Sequence, residues 1–237
     1  MDKLAENGLK FTQHYSGSTV CAPSRSSLMT RQHTGHTFIR GNKEVQPEGQ
    51  FPLKAEIYTL AEALQEIGYV TGAFGKWGLG YPGSEGDPNN QGFDEFFGYN
   101  CQRIAHHYYP YHVWHNKEKI MLKRNEGYQT EQYGPDVIHG QALNFLDENK
   151  EKLFFMFYSS LITHANPMVA IWEGKIAPGT ETNHPFAFWD VFPIVAEITG
   201  ATKSEKIDGI SFLAIKQTIK KNTKITYSYI YNKGILK

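Results

Sequence analysis

Apolar and polar positions change rhythm several times along the 237 residues, and each change predicts an element. Residues 2 to 8 read as the last turns of a helix ended by Gly8. The following "LKFTQHYS" alternates and carries aromatics, which suits a strand. After the loop "GSTVCA", Pro23 suits the first turn of a helix running through Leu28 and Met29. In "YTLAEALQEIG" the apolar residues Leu60, Leu64 and Ile67 fall at helical spacing before Gly68, and "YVTGAFGKW" follows as a strand. Asp136 to Asn149 repeats the helical pattern, and Leu153 to Tyr158 is a near-continuous apolar run. Runs of that kind are expected of strands buried on both faces, so the alternation predicts an α/β sandwich with a largely parallel sheet.

Two places break the rhythm. Between Tyr81 and Gln91 the composition becomes "YPGSEGDPNNQ", which is loop chemistry. In "THANPMVAIW" a strand-end loop passes at once into another apolar strand, although a parallel connection needs roughly a dozen residues. A segment is therefore expected to be missing at that junction. After "IDGISFL" the chain turns Lys-rich, with one short strand-like run and no helical face.

Composition narrows the function classes. Lys+Arg and Asp+Glu both total 24, so no bulk field draws nucleic acid or an anionic membrane. The run "LFFMFYSSLI" is half the ~20 residues of a membrane helix, so no membrane span is expected. The two cysteines, Cys21 and Cys101, form neither a disulfide framework nor a zinc-ligand cluster. The first ten residues, "MDKLAENGLK", lack the apolar run of a secretory signal, and the compartment stays unassigned.

Cys21 is the residue with chemistry around it. A lone cysteine is more often a small buried apolar group. Here it stands at a predicted helix start, where the macrodipole favours anions. Arg25 lies one turn on along the same face, and Ser24 adds a hydroxyl. A thiolate phosphatase loop would place its arginine at the position of Ser27, which counts against that reading.

The spelling "CAPSR" followed by "SSLMT" closely resembles the signature of type I sulfatases of the arylsulfatase A-like group. Later stretches, "TLAEALQEIGYVTGAFGKWGLG", "GFDEFFGY", "LFFMFYSSLITHANP", "MVAIWEGKIAPG" and "DGISFL", resemble family landmarks in their expected order. The resemblance implies an alkaline-phosphatase-like α/β sandwich, here incomplete. It divides the chain into a partial catalytic domain over 1–213, with the family's middle block missing near 165–168, and a diverged or disordered tail over 214–237.

It also implies an activity. In the family this cysteine is converted by a formylglycine-generating maturation enzyme into an aldehyde that hydrates to a diol. One diol oxygen attacks the sulfur of a sulfate ester, such as a sulfated carbohydrate or aryl sulfate. A base then deprotonates the second oxygen and sulfate leaves. By resemblance Cys21, Arg25, Lys76 and His164 are the catalytic residues, with Lys76 and His164 also binding the substrate sulfate. Cys21, as formylglycine, would be one ligand of the family's Ca²⁺ ion. The family is usually periplasmic, secreted or lysosomal.

Departures matter as much. The family histidine two positions after the motif lysine is Gly78 here, which can neither bind nor deprotonate the diol. Ca²⁺ takes about 6–8 oxygen ligands, yet no adjacent Asp pair and no Asp-Asn dipeptide occurs in the sequence. The expectation is thus a sulfatase relative with little or no activity. The rival is an inactive remnant or fragment that at most binds sulfated ligands. The stretch "HHYYPYHVWH", with His106, His107, His112 and His115, reads either as packing or as a metal patch or sugar-stacking platform. Cys101 beside it is expected to be inert packing.

Overall fold

The computed structural model of the chain describes residues 2–161, 168–202, 207–211 and 213. Both the "THANP" junction and the 214–237 tail lie outside the described residues. The chain begins with α1 (Asp2–Glu6), β1 (Leu9–Phe11), β2 (His14–Tyr15) and α2 (Cys21–Thr30). After a long loop come α3 (Leu60–Gln65), β3 (Val70–Lys76), β4 (Glu95–Tyr99) and α4 (Gln102–Ala105). Then follow β5 (His112–His115), β6 (Glu118–Met121), α5 (Gly134–Asn149) and β7 (Phe154–Ser159). Last come β8 (Val169–Ala170), β9 (Thr180–Thr182), β10 (Phe186–Ala187) and α6 (Val191–Thr199).

The main sheet has the order β6-β5-β4-β3-β7. Strands β7, β3 and β4 run parallel, while β5 and β6 add antiparallel hairpin strands at one side. Alternation along the strands feeds two cores. Ala73, Phe96 and Phe157 pack with Leu28 and Met29 of α2, whereas Phe74 and Phe97 pack with Ile138 and Phe145 of α5. A sheet with apolar helices on both faces is the α/β sandwich the alternation predicts. The expected strand over 9–16 is two short ones. β1 joins β8 and β9, and β2 turns aside to pair with β10.

Local chemistry explains the helix starts. Thr59 caps α3 by accepting from the Glu62 N–H at 3.2 Å, and the Glu62 carboxylate accepts from the Thr59 N–H at 2.7 Å. At α2 the residue before the helix is Val20, which offers no side-chain cap. The Asn42 side chain supplies one from a distant loop, accepting from the Ala22 N–H at 2.9 Å. Pro23 sits in the first turn, where an absent N–H removes no helical bond. Helix α5 starts two residues before the expected Asp136, with Pro135 in its first turn. No helix among the described residues is long and apolar enough to cross a membrane.

One expectation fails. Among the described residues β7 pairs only with β3, and Phe154, Phe155, Met156 and Tyr158 are only half-buried. Its composition is that of a central strand. Composition alone reports apolarity and not which neighbours are present.

The small sheet carries a pH-sensitive histidine. His14 on β2 stacks on Phe186, with centroids 5.4 Å apart at 23°. Burial lowers its pKa from 6.5 to about 4. The unfolded chain therefore takes up this proton before the folded one. Stability is complete above the unfolded value and is lost as pH falls from there through the folded value. Acidification across that window is expected to remove about 3 kcal/mol. Urea midpoints measured from pH 7 to pH 4 check this, and His14→Phe is expected to flatten the slope.

Candidate functional site

Parallel strands end together, and their carboxyl ends meet the amino end of α2. Ligands gather at such ends because strands stop there and loops and helix N-termini converge. Cys21 is the first residue of α2, Lys76 the last of β3, and Ser159 the last of β7. All three are buried, as is Arg25.

The contacts are specific. The Lys76 ammonium donates to Cys21 Sγ at 3.4 Å. Arg25 Nη1 donates to Ser159 Oγ at 2.6 Å and to the carbonyl oxygen of Lys76 itself. The guanidinium thus ties the helix to the ends of both strands and presents the lysine to the thiol. The Lys76 ammonium meets the Cys21 thiol at a helix start, with Arg25 one turn on, an arrangement suited to an anion.

Backbone shape brings the strand ends close. Gly75 has φ of +106°, and a Cβ there would lie 2.1 Å from the Ser159 carbonyl oxygen. Beyond the strand, the Gly78 N–H donates to the Asn100 carbonyl at 3.2 Å, continuing the β3–β4 register.

The position that holds histidine in the resembling family is not empty space here. A Cβ on Gly78 would come within 2.1 Å of Gln102 Nε2 and 3.7 Å of Arg25 Cδ. Gln102, the first residue of α4, fills that volume with a carboxamide. Its Oε1 and Nε2, with Asn100 Oδ1 and Ser24 Oγ, are buried without a hydrogen-bond partner among the described residues. Such atoms are uncommon in folded proteins and mark a place for a polar ligand or water. A carboxamide donates and accepts hydrogen bonds but does not take up a proton. Sequence reasoning missed Gln102, because nothing in "NCQR" signals that its side chain enters the space left by a glycine 24 positions earlier.

The four residues expected at the site divide three to one. Cys21, Arg25 and Lys76 are together. His164 lies outside the described residues. Cys101 is fully buried, as expected of packing, yet it also caps α4, its Sγ accepting from the Ile104 N–H at 3.4 Å. Burial raises its thiol pKa.

The donors on Cys21 do not suit Ca²⁺. That ion wants about 6–8 oxygens, largely carboxylate and carbonyl, whereas the side chain that meets Cys21 Sγ at 3.4 Å is the Lys76 ammonium. Among the described residues, one group of three His, Cys, Asp or Glu side chains converges, His33, His36 and Asp208, and it does not include Cys21.

The aromatic stretch after α4 divides as well. Val113 is buried and Trp114 packs on the core, while Tyr108, Tyr109 and Tyr111 are 41–44% exposed. Tyr109, Tyr111, Tyr128, His107 and Glu126 line an open cleft of about 480 Å³. Helix α4 and the residues just after it run between the two places, with Gln102 against Gly78 and Ile104 and His107 at the cleft.

Comparison with known proteins bears on the family and the fold. The family model described as Sulfatase matches residues 1–175. Arylsulfatase G of Homo sapiens is 43% identical over 98 residues, which are 41% of this chain and 18% of that protein. The N-acetylglucosamine-6-O-sulfatase of Bacteroides thetaiotaomicron is 29% identical over 171 residues, 72% of this chain and 27% of that protein. The chain therefore spans well under half the length of these relatives. A solved structure from work on glycosaminoglycan metabolism by Bacteroides thetaiotaomicron superposes with a TM-score of 0.74, covering 90% of this chain and 74% of that one. At 15% identity that likeness is one of fold.

Proposed function

The chain belongs to the sulfatase family, and from that premise we propose that it carries the nucleophile half of a sulfate-ester site, matured at Cys21 and selective for sulfated carbohydrate. The observation that carries the reading is the Lys76 ammonium 3.4 Å from Cys21 Sγ, with Arg25 donating to the Lys76 carbonyl and to Ser159 Oγ.

The chemistry follows from these positions. Conversion of Cys21 to formylglycine would put a hydrated aldehyde at the start of α2. Lys76 would donate to a sulfate oxygen as a compact ammonium with three donors. Arg25 and the helix dipole would add positive potential around the developing charge. One diol oxygen would then attack sulfur and the alcohol would leave. The second half-reaction needs a base for the remaining diol hydroxyl. Gly78 supplies none, and Gln102 in its place can orient that hydroxyl but not deprotonate it. With no fit for Ca²⁺ among the described donors either, this chain alone is expected to turn over slowly or not at all.

The tyrosine cleft supports a carbohydrate rather than a small aryl sulfate. Exposed aromatic rings with a polar tip suit the alternating CH and OH surface of a sugar, and α4 sets the cleft within one short helix of Gln102. The name of the N-acetylglucosamine-6-O-sulfatase relative points the same way.

The test uses the 237-residue chain co-produced with a formylglycine-generating enzyme. Mass spectrometry of the Cys21 peptide is expected to show aldehyde in place of thiol. Calorimetry is expected to show binding of 6-O-sulfated N-acetylglucosamine that weakens roughly thirtyfold in Lys76→Ala, the worth of one charged hydrogen bond. An unconverted thiol together with no sulfated-sugar binding would sink the proposal. Turnover of p-nitrophenyl sulfate that vanishes in Cys21→Ala would instead refute the disablement.

A further inference from the structure

A second convergence of ligand-type side chains lies apart from Cys21 and does not depend on how that residue is read. Helix α2 ends at Arg31 in the left-handed conformation, and the chain turns tightly so that the His36 and Thr37 N–H groups both donate to the His33 carbonyl at 2.9 Å. This turn sets the His33 and His36 rings 4.3 Å apart between centroids. Asp208 reaches the same spot from the far end of the described chain. Its backbone N–H donates to the Arg31 carbonyl at 3.2 Å, which docks the Ile207–Ser211 segment on the turn.

The carboxylate is aimed. Asp208 Oδ2 accepts from the His33 backbone N–H at 3.0 Å. Its Oδ1 lies 2.7 Å from His36 Nδ1 and 3.9 Å from His33 Nε2. One ligand atom from each of the three residues falls within 4.8 Å of the others. A tetrahedral zinc ion with bonds of about 2.0–2.1 Å needs ligand atoms roughly 3.3 Å apart. The observed spacings bracket that value, so side-chain adjustment alone closes the set. The three side chains are 41%, 63% and 20% exposed, which leaves an entry path for an ion and room for water.

We propose that His33, His36 and Asp208 bind one Zn²⁺-class divalent ion, which staples the turn after α2 to the Ile207–Ser211 segment. Two imidazole nitrogens and one carboxylate are donors for zinc or its first-row neighbours, and are the wrong set for Ca²⁺. Three protein ligands leave a fourth position for water. The staple links residues 172 apart in sequence, and binding only the folded state stabilises it by mass action.

The geometry also bounds the affinity. His33 Nδ1 accepts from the Gly35 N–H at 2.8 Å. For Nε2 to offer its lone pair, the ring proton moves to Nδ1 and that bond is given up. One lost hydrogen bond weakens binding by roughly fivefold.

The test titrates the chelator-treated full chain at neutral pH with Co²⁺, read by its visible absorption, and then displaces it with Zn²⁺. We expect one equivalent bound, insensitivity to millimolar Ca²⁺, and a rise in thermal midpoint with Zn²⁺. Each of His36→Ala and Asp208→Asn is expected to weaken uptake at least tenfold, at or above the usual effect of losing a ligand's partner. Asparagine keeps an acceptor for the His33 N–H, so this variant separates ligation from docking, and circular dichroism checks that both variants fold. No uptake by the parent chain, uptake unchanged in both folded variants, or displacement by Ca²⁺ would each overturn the site.

Discussion

Replacing Arg25 by methionine is expected to lower stability by about 3 kcal/mol, seen as an earlier urea midpoint with an unchanged slope. Two effects oppose each other. A buried guanidinium costs free energy to desolvate, and methionine removes that cost while keeping much of the volume. Against it stand two hydrogen bonds from a charged donor, to Ser159 Oγ and to the Lys76 carbonyl. Both residues that accept are buried, so deletion leaves the acceptors without this donor. Each such loss is worth about 1–3 kcal/mol, and the sum exceeds the relief. Arg25→Lys supplies a charge without the planar fork and is expected to fall between the two. If Arg25→Met proves neutral, the guanidinium is not the brace between α2, β3 and β7, and the geometry at Cys21 has another cause.

Gly75→Ala is expected to be worse, more than about 4 kcal/mol, which for a domain of this size approaches failure to fold. The reason is space rather than dihedral preference alone. The added methyl would sit 2.1 Å from the Ser159 carbonyl oxygen, a backbone atom in the paired strand that cannot swing aside. Relief would require β3 and β7 to part where Lys76 and Ser159 are positioned. Gly68→Ala is the matching control. It too has positive φ, +86°, but nothing lies within 4 Å of the added atom. Only conformational strain applies there, about 1 kcal/mol. Equal effects of the two substitutions in thermal unfolding would show that the close approach of the strands carries no weight.

How much was legible beforehand differs by kind. The helix and strand pattern, the Pro23 helix start, the Leu60–Leu64 face and the Cys21–Arg25 pair were all readable, because each depends on residues within about a turn of one another. The family resemblance was readable in the same way, from contiguous spelling. The Gly78 departure was readable as a loss, but not that Gln102 occupies the vacated volume. The half-burial of β7 among the described residues was not legible, because an apolar run does not state how many neighbours it has.

The sequence by itself determined the local setting of Cys21, namely a cysteine at a helix start, an arginine one turn on, and a lysine at a strand end. Only the tertiary structure decided that these meet. Arg25 reaches Lys76 across 51 positions and Ser159 across 134, and His36 meets Asp208 across 172. Short-range spacing is set by backbone geometry, which any chain of these residues shares. Long-range convergence is set by which apolar faces bury together, and that depends on the whole sheet.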